Sequence, residues 1–457
     1  MRIHFIAIGG AAMHNLAIAL KLKGYTITGS DDEIFDPAKT RLKNYGLLPE
    51  KIGWNKNKIN NNLDAIVLGM HAKKDNPELL EAHKLGIKIY SYPEFLYEMS
   101  KDKTRIVIGG SHGKTSITAM ILHVARDLEL DIDYMVGAQL EGYEVMVRLS
   151  ETAKYIVLEG DEYLTSPIDL RPKFHLYKPD IGLISGIAWD HINVFPSFEI
   201  YKKQFEIFAD LIQDQGTLVY CEEDPEVREI AHKLNKNIEK QPYNTIDHRI
   251  QNGITIVEWE GREYPMKIFG NHNLMNLYGA MLVCKEMGIS NHQFLHSLQS
   301  FSGASKRLEQ VAQHKGFSFY KDFAHSPSKL EATIDALKEQ YTDRKLVAVM
   351  ELHTFSSLNS EFLLHYKGKM ESADTAIIYY SPRTIAHKGL PAITKEEVLE
   401  AFSKPGLIVC TDSKEVIELI EEMDWKHKNL LMMSSGNFDG LDFDKLAERL
   451  ITSSFGG

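Results

Sequence analysis

Residues 104–127, TRIVIGGSHGKTSITAMILHVARD, restrict the fold more than any other stretch of this chain. The apolar run Ile106–Ile108 ends in Gly109 and Gly110, a short polar loop follows, and Lys114–Thr115 opens a segment with apolar residues at helical spacing. Strand, glycine loop, Lys-Thr and helix, in that order, form the context that a phosphate-binding loop requires. The usual G-x-x-x-x-G-K-[ST] spelling is incomplete, because Ile108 stands where its first glycine belongs. The physics survives that change. Amides of the loop and of the helix N-terminus can face phosphate oxygens, Lys114 supplies a positive charge, and the Thr115 hydroxyl can hold Mg²⁺. A helix N-terminus with a solvated lysine is the other reading of the same residues.

Two further segments repeat the alternation of strand and helix. The first, RIHFIAIGGAAMHNLAIALKLKGYTITGSDD, reads as a strand over 2–8, a turn at Gly9–Gly10, a helix over 11–23, and a strand over 25–30 ending in Asp31 and Asp32. An acidic residue about 20 positions after the glycines is where a Rossmann-type unit holds a ribose hydroxyl. The glycine spelling is G-G-A-A-M, however, so a nucleotide-binding turn and a plain βαβ turn both fit. The third segment begins near Gly303 and runs FSFYKDFAHSPSKLEATIDALKEQYTDRKLVAVMEL, followed by TAIIYY, LIVC and NLLMMSSGNFDG. Alternation throughout predicts an α/β protein with mostly parallel sheets.

The chain's 457 residues make two or three domains at ~150 residues each. A net charge of −11 argues against nucleic acid or an anionic membrane as partner. Cys221, Cys284 and Cys410 are scattered without C-x-x-C spacing, as in a reduced cytoplasmic protein with neither disulfides nor a zinc site. No apolar run approaches the ~18 residues of a membrane span, and the N-terminus opens directly into a strand pattern rather than a signal peptide.

Carboxylates and amides complete the candidate site. YIVLEGDEY puts Glu159 at the end of an apolar strand, where a Mg²⁺-binding carboxylate belongs, with Asp161 and Glu162 behind it. IGLISGIAWDHINVF puts Asp190 and His191 after another buried strand. In FGNHNLMNLYGAM, Asn273 and Asn276 lie three apart on one face at a helix start, suited either to capping or to reading an adenine edge.

In sequence order, G-S-H-G-K-T-S, E-G-D-E-Y, D-H, G-N-H-N-L-M-N, K-R-L-E and D-F-A-H-S-P resemble the motifs of the Mur ligases, over essentially the whole chain. That family spells its loop G-[TS]-x-G-K-[TS]-[TS], which accounts for Ile108. The resemblance implies three domains: a Rossmann-like UDP-sugar-binding domain at 1–102, a central P-loop-type ATPase domain at 103–302, and a Rossmann-like domain at 303–457 that binds ATP and the amine. It implies ADP-forming amide ligation through an acyl phosphate, with ATP and Mg²⁺. By residue, Gly110, Ser111, His112, Gly113, Lys114, Thr115 and Ser116 would hold the ATP phosphates. Asn273, Asn276, Arg307 and Asp322 would add ATP contacts. Lys114, Glu159, His191 and His325 would be catalytic, with metal on Thr115, Glu159 and His191. Gly9, Gly10, Met13, Asp31 and His71 would bind the UDP-sugar.

Finer likenesses favour the recycling branch, which joins the tripeptide L-alanyl-γ-D-glutamyl-meso-diaminopimelate to UDP-N-acetylmuramate. LEGDEYLTSPIDLRPKFHLYKP and MSSGNFDGL resemble that branch. Where the alanine-adding branch carries H-R-Y-T-R, this chain has HTFSS, with Thr354 and Ser357 in place of two arginines. Their smaller side chains would leave room for a peptide and hydrogen-bond it. An L-alanine ligase and a nucleotide-binding module without catalysis are the alternatives. A carbamylated lysine found in several Mur ligases would fall at Phe205, with Lys202 and Lys203 out of register. The assembly implied is a monomer or weak homodimer.

Overall fold

The structure, a computed structural model, describes residues 1–189, 194–251, 253–304 and 307–456. The chain divides into two compact units, one of residues 1–187, 197–244 and 279–294, the other of 188–196, 245–278 and 295–457.

Besides the short antiparallel pair Leu164–Ser166 and Asp169–Pro172, the first unit carries two large sheets. In the smaller, the strands Thr26–Ser30, Arg2–Ile6, Ala65–Leu68 and Ile89–Ser91 lie side by side in that order, all parallel. The first strand is shorter than its apolar run, because Ala7 takes φ 69°. Its amide and that of Ile8 both turn to the Ser30 carbonyl. The helix Ala11–Leu22 follows and buries Leu16, Ala17, Ile18 and Leu20.

The larger sheet has seven strands, ordered Glu239–Tyr243, Thr217–Cys221, Ile181–Ile184, Thr104–Gly109, Tyr155–Glu159, Ile132–Met135 and Val147–Arg148. All pairings are parallel except the last. From Thr104–Gly109 the chain first builds the sheet in one direction, then crosses back and builds it in the other. A parallel sheet opens a crevice at such a reversal, outside the carboxyl end of the strand. The loop 110–113 occupies that position.

In the second unit, a six-stranded sheet runs Glu309–His314, Phe317–Asp322, Lys428–Met433, Lys345–Leu352, Thr375–Tyr380 and Ile408–Cys410. Only its first strand is antiparallel to its neighbour. Alternate residues of Lys345–Leu352 serve different cores. Leu346, Ala348 and Met350 pack with Leu330 and Ile334, while Val347 and Val349 pack with Ile420, Trp425 and Leu450. Cover on both faces is why these strands read as unbroken apolar runs.

One element departs from the expected alternation. His248–Gln251, Ile254–Trp259 and Arg262–Met266 form an antiparallel meander. Its second turn is Glu260–Gly261, with φ 48° and 75°. Two consecutive left-handed residues match the twist of a tight hairpin. No helix among the described residues is long and apolar enough to cross a membrane.

Candidate functional site

The loop after Thr104–Gly109 is shaped by contacts that demand small residues. Gly110 has φ 133°, and a Cβ there would lie 2.1 Å from Ser185 Oγ. That hydroxyl donates to the His112 carbonyl, and the Gly109 carbonyl lies 3.2 Å from its oxygen. The Ser111 amide donates to the Gly186 carbonyl at 2.9 Å. Gly113, with φ 80°, turns the chain into the helix Lys114–Asp127, so the free amides of its first turn open at the crevice. Ser116 sits buried in that turn.

Lys114 and Thr115 project onto carboxylates. Lys114 Nζ donates to Gly110 O at 2.5 Å and to Glu162 Oε2 at 2.6 Å. Burial opposes its charge, but Glu162, Asp161 and Glu159 outweigh that and raise its pKa above the ordinary lysine value. The lysine is therefore a fixed cation at working pH. Thr115 Oγ1 donates to Glu159 Oε1 at 2.7 Å, and Glu159 Oε2 accepts the Gly137 amide at 3.0 Å. A hydroxyl beside a carboxylate at a strand end is a hard-oxygen pair, the donor type Mg²⁺ takes. Among the described residues no cluster of three His, Cys, Asp or Glu is gathered to hold a metal. Mg²⁺ does not need one, since it keeps waters and phosphate oxygens as its other ligands. The donors present fit the ion. Asp190 and His191 lie outside the described residues.

Two residues of this cluster have no motif to announce them. Tyr201, on the helix Phe198–Asp210, donates its hydroxyl to Glu162 Oε1 at 3.0 Å and lies 2.7 Å from Ser111 Oγ. Ser185 shapes the loop from the neighbouring strand. Apolar periodicity could mark Tyr201 as buried, but only the fold brings its hydroxyl to the loop.

The N-terminal turn is built differently. The Gly9 amide donates to Asp31 Oδ2 at 2.6 Å, and the Asp32 amide to Asp31 Oδ1 at 3.0 Å. Asp31, expected to face a ribose, thus has its carboxylate engaged by the turn itself. Burial raises its pKa and the Gly9 amide pulls it back. Met13 is buried beneath Gly10, and the Gly10 carbonyl accepts the His14 amide at 3.0 Å. The Gly69 amide reaches Ile6 O at 2.9 Å, placing the loop that carries exposed His71 beside this turn.

In the second unit, the carboxyl end of Phe317–Asp322 gathers three expected residues. Asp322 accepts the amides of Leu308 at 2.5 Å and Ala324 at 2.6 Å. Burial pushes its carboxyl up against the pull of Arg307. The Arg307 guanidinium lies 4.7 Å from the centre of the Phe323 ring, and His325 Nδ1 is 2.8 Å from the Phe323 carbonyl. Asn273 and Asn276 are buried on the helix Asn271–Glu286. Asn273 Nδ2 donates to Phe269 O at 3.0 Å, a bond within its own helix start.

Nearby strand ends form a cluster the sequence did not announce. The buried Glu351 carboxylate accepts the Ser434 hydroxyl and, at 2.9 Å, the Phe438 amide. His353 Nδ1 stands 3.4 Å from its other oxygen. The turn 354–357 corrects one expectation. Thr354 Oγ1 donates to Ser357 Oγ at 2.9 Å, the Ser357 amide returns to Thr354 Oγ1 at 3.0 Å, and Ser357 is 0% exposed. These hydroxyls close the turn on itself and are not free to bind a peptide.

Three family models match in order along the chain: "Mur ligase family, catalytic domain" over residues 2–104, "Mur ligase middle domain" over 108–284, and "Mur ligase, glutamate ligase domain" over 306–436. A UDP-N-acetylmuramate–L-alanine ligase of Caldicellulosiruptor bescii is 31% identical over 421 residues, covering 88% of each chain. The Carboxydothermus hydrogenoformans enzyme of the same name is 28% identical and covers 98% of this chain and 97% of its own. Among solved structures, a UDP-N-acetylmuramate–alanine ligase from Thermotoga maritima superposes with a TM-score of 0.69 at 18% identity, covering 99% of this chain and 98% of that one. A murein peptide ligase from Psychrobacter arcticus gives 0.63 at 21%, with the same coverage. At such identities the structural likeness carries the fold alone, here the three-domain α/β architecture. Joined to the sequence relatives and to a phosphate loop faced by hard-oxygen donors, it places this chain in the Mur ligase family, whose members are ADP-forming ligases that use ATP and Mg²⁺.

Proposed function

We propose that the protein is a murein peptide ligase, joining UDP-N-acetylmuramate to the preformed tripeptide L-alanyl-γ-D-glutamyl-meso-diaminopimelate. The observation that carries this reading is the turn 353–357. A free amino acid such as L-alanine offers a carboxylate and a methyl group, so its site must clamp that carboxylate, which bidentate arginines do best. This turn has none, and the hydroxyls of Thr354 and Ser357 are spent inside it, Thr354 on the Ser357 oxygen and Ser357 on the Thr354 carbonyl. A tripeptide spreads its binding over several carboxylates and amides and does not depend on one clamp. Arg383, exposed in the first turn of the helix Pro382–His387, is a candidate clamp outside this turn.

In this reading residues 1–102 hold the UDP-sugar at the turn Gly9–Gly10, which Asp31 and Met13 brace from beneath, with His71 beside it. Residues 103–302 bind ATP, and residues 303–457 bind ATP and the amine. The loop 110–116, with Lys114, neutralises the phosphate oxygens, while Asn273, Asn276, Arg307, Asp322 and His325 contribute further ATP contacts. Mg²⁺, on Thr115 and Glu159 with His191 serving a second ion, supplies charge neutralisation at the phosphates. The sugar's lactyl carboxylate attacks the γ-phosphorus of ATP, ADP leaves and an acyl phosphate forms; the peptide amine then displaces inorganic phosphate from the acyl carbon and loses a proton to give the amide. Positioning and charge neutralisation carry most of such a reaction.

The second reading, L-alanine addition, is favoured by the names of the sequence relatives. The two are separated by kcat/KM for L-alanine beside the tripeptide. The tripeptide is expected to win by a wide margin; equal or better use of alanine overturns the proposal. ATP turnover that needs no amine would instead support a module without ligase activity.

A further inference from the structure

Lys114 is tied to a buried chain of hydrogen bonds that returns to its own loop. Its ammonium donates to Glu162 Oε2, and Glu162 Oε1 accepts the Tyr201 hydroxyl at 3.0 Å. The Tyr201 oxygen is 2.7 Å from Ser111 Oγ. Tyrosine has one hydroxyl hydrogen, and it is committed to the carboxylate. Ser111 is therefore the donor in the last contact. The hydrogens run from Ser111 to Tyr201 to Glu162, and from Lys114 to Glu162, so both ends of the phosphate loop are pinned to one carboxylate. Glu162 is 1% and Tyr201 0% exposed. At such burial a hydrogen bond counts for more than in water, and a lost one costs more.

We propose, resting on the ATP-site reading above, that Tyr201 is a positioning residue for nucleotide binding: its hydroxyl fixes Glu162, and Glu162 presets the Lys114 ammonium at the phosphate loop before ATP arrives. A lysine side chain has large rotamer freedom, and ordering it ahead of binding removes that cost from the binding step. Tyr201 touches neither phosphate nor metal in this role and acts through Glu162.

Tyr201→Phe in the full chain is the test, since it keeps the ring that packs edge-on to Phe205 at 5.3 Å and removes only the hydroxyl. The Kd and KM for Mg-ATP are expected to rise about tenfold, equivalent to about 1.4 kcal/mol. The loss should fall on KM, with kcat changed less than about twofold and KM for UDP-N-acetylmuramate unmoved, the pattern of lost uniform binding. Glu162→Gln, which still accepts from Tyr201 but carries no charge for Lys114, should weaken ATP binding further, and serves if the tyrosine variant does not fold. An unchanged ATP affinity in both variants overturns the proposal. A tighter affinity does so too, since Glu162 would then be competing with phosphate for the lysine. A lowered melting temperature with equal losses for both substrates would mean a merely structural hydroxyl. Lys114→Ala separates the two levels. If it abolishes ATP binding while Tyr201→Phe has no effect, only this inference fails. If it leaves ATP binding intact, the ATP-site reading itself is wrong.

Discussion

Gly9–Gly10 and Gly109–Gly113 are the same device at the level of sequence: an apolar strand, glycines, then a helix. In the structure they differ in what their nearest acids do. Asp31 gives both carboxylate oxygens to main-chain amides of its own domain, one of them the Gly9 amide. Around Gly109–Gly113 each acid also meets a side chain: Glu159 accepts from Thr115 as well as from the Gly137 amide, and Glu162 accepts from Lys114. An acid bonded to a turn's amide is part of the turn. An acid bonded to a hydroxyl or an ammonium can share that partner with a metal or a phosphate, because the side chain can turn and the amide cannot. The two turns teach that a glycine signature marks where a backbone can approach a ligand, while the partners of the adjoining carboxylate decide which charge chemistry follows.

The contrast is broken most directly at Lys114. Lys114→Ala removes a point charge without opening a core, and ADP formation should fall by about 10²-fold or more. Near-normal ADP release, measured with all substrates saturating, would make the second turn as structural as the first.

Glu159→Ala should raise the Mg²⁺ concentration needed for half-maximal activity by about 10-fold or more, as loss of a ligating carboxylate leaves the ion's charge poorly compensated. A Mg²⁺ titration matching the parent would remove Glu159 from the metal site. The same titration on His191→Ala tests the residue assigned from sequence alone.

At the first turn the expected effect is on stability. Asp31→Ala strands the half-buried Gly9 amide and should cost about 1 kcal/mol in urea unfolding. KM should rise for the UDP-sugar and stay put for ATP. Asp31→Asn sharpens this through pH. The folded-state pKa of Asp31 lies above its usual value of 3.8, from burial first and then from Asp32. The folded form therefore holds its proton longer than the unfolded chain, and the parent loses stability as pH rises through the window above 3.8. The asparagine variant lacks that slope, so its stability relative to the parent should climb between pH 4 and 7. A flat difference would show that burial does not disfavour the charge.

The smallest effect is expected at Lys202. Hydrogen bonds to Glu226 and Glu229 raise its pKa, and carbamylation needs the neutral amine. Phe205 lies in the register of the modified lysine and is buried between Phe174 and Tyr201. Activity in CO₂-depleted buffer should match the control, and restoration by bicarbonate would contradict this.

Alternating apolar runs and helical periods made the three large parallel sheets legible, because strands covered on both faces leave continuous apolar stretches such as LVAVMEL. The meander at 248–266 was not legible. Its strands are half-exposed and mixed in composition, and its hairpin signal rests on the left-handed pair Glu260–Gly261, of which only the glycine is a usual turn residue. Within the candidate site, Lys114, Thr115 and Glu159 were readable because each sits beside a glycine turn or at a strand end. Tyr201, Ser185 and Glu351 were not, since each acts across a distance in the chain that no local pattern encodes.

The sequence by itself determined the family, the alternation of strands and helices along the chain and the loop that can face phosphate, since local spacing and backbone freedom carry those. Only the tertiary structure decided which carboxylate each loop side chain meets, that Asp31 is spent on its own turn, and that Thr354 and Ser357 bond each other. The physical reason is that a hydrogen bond is a matter of a few tenths of an ångström and a direction, and those are set by how strands far apart in the chain stack side by side.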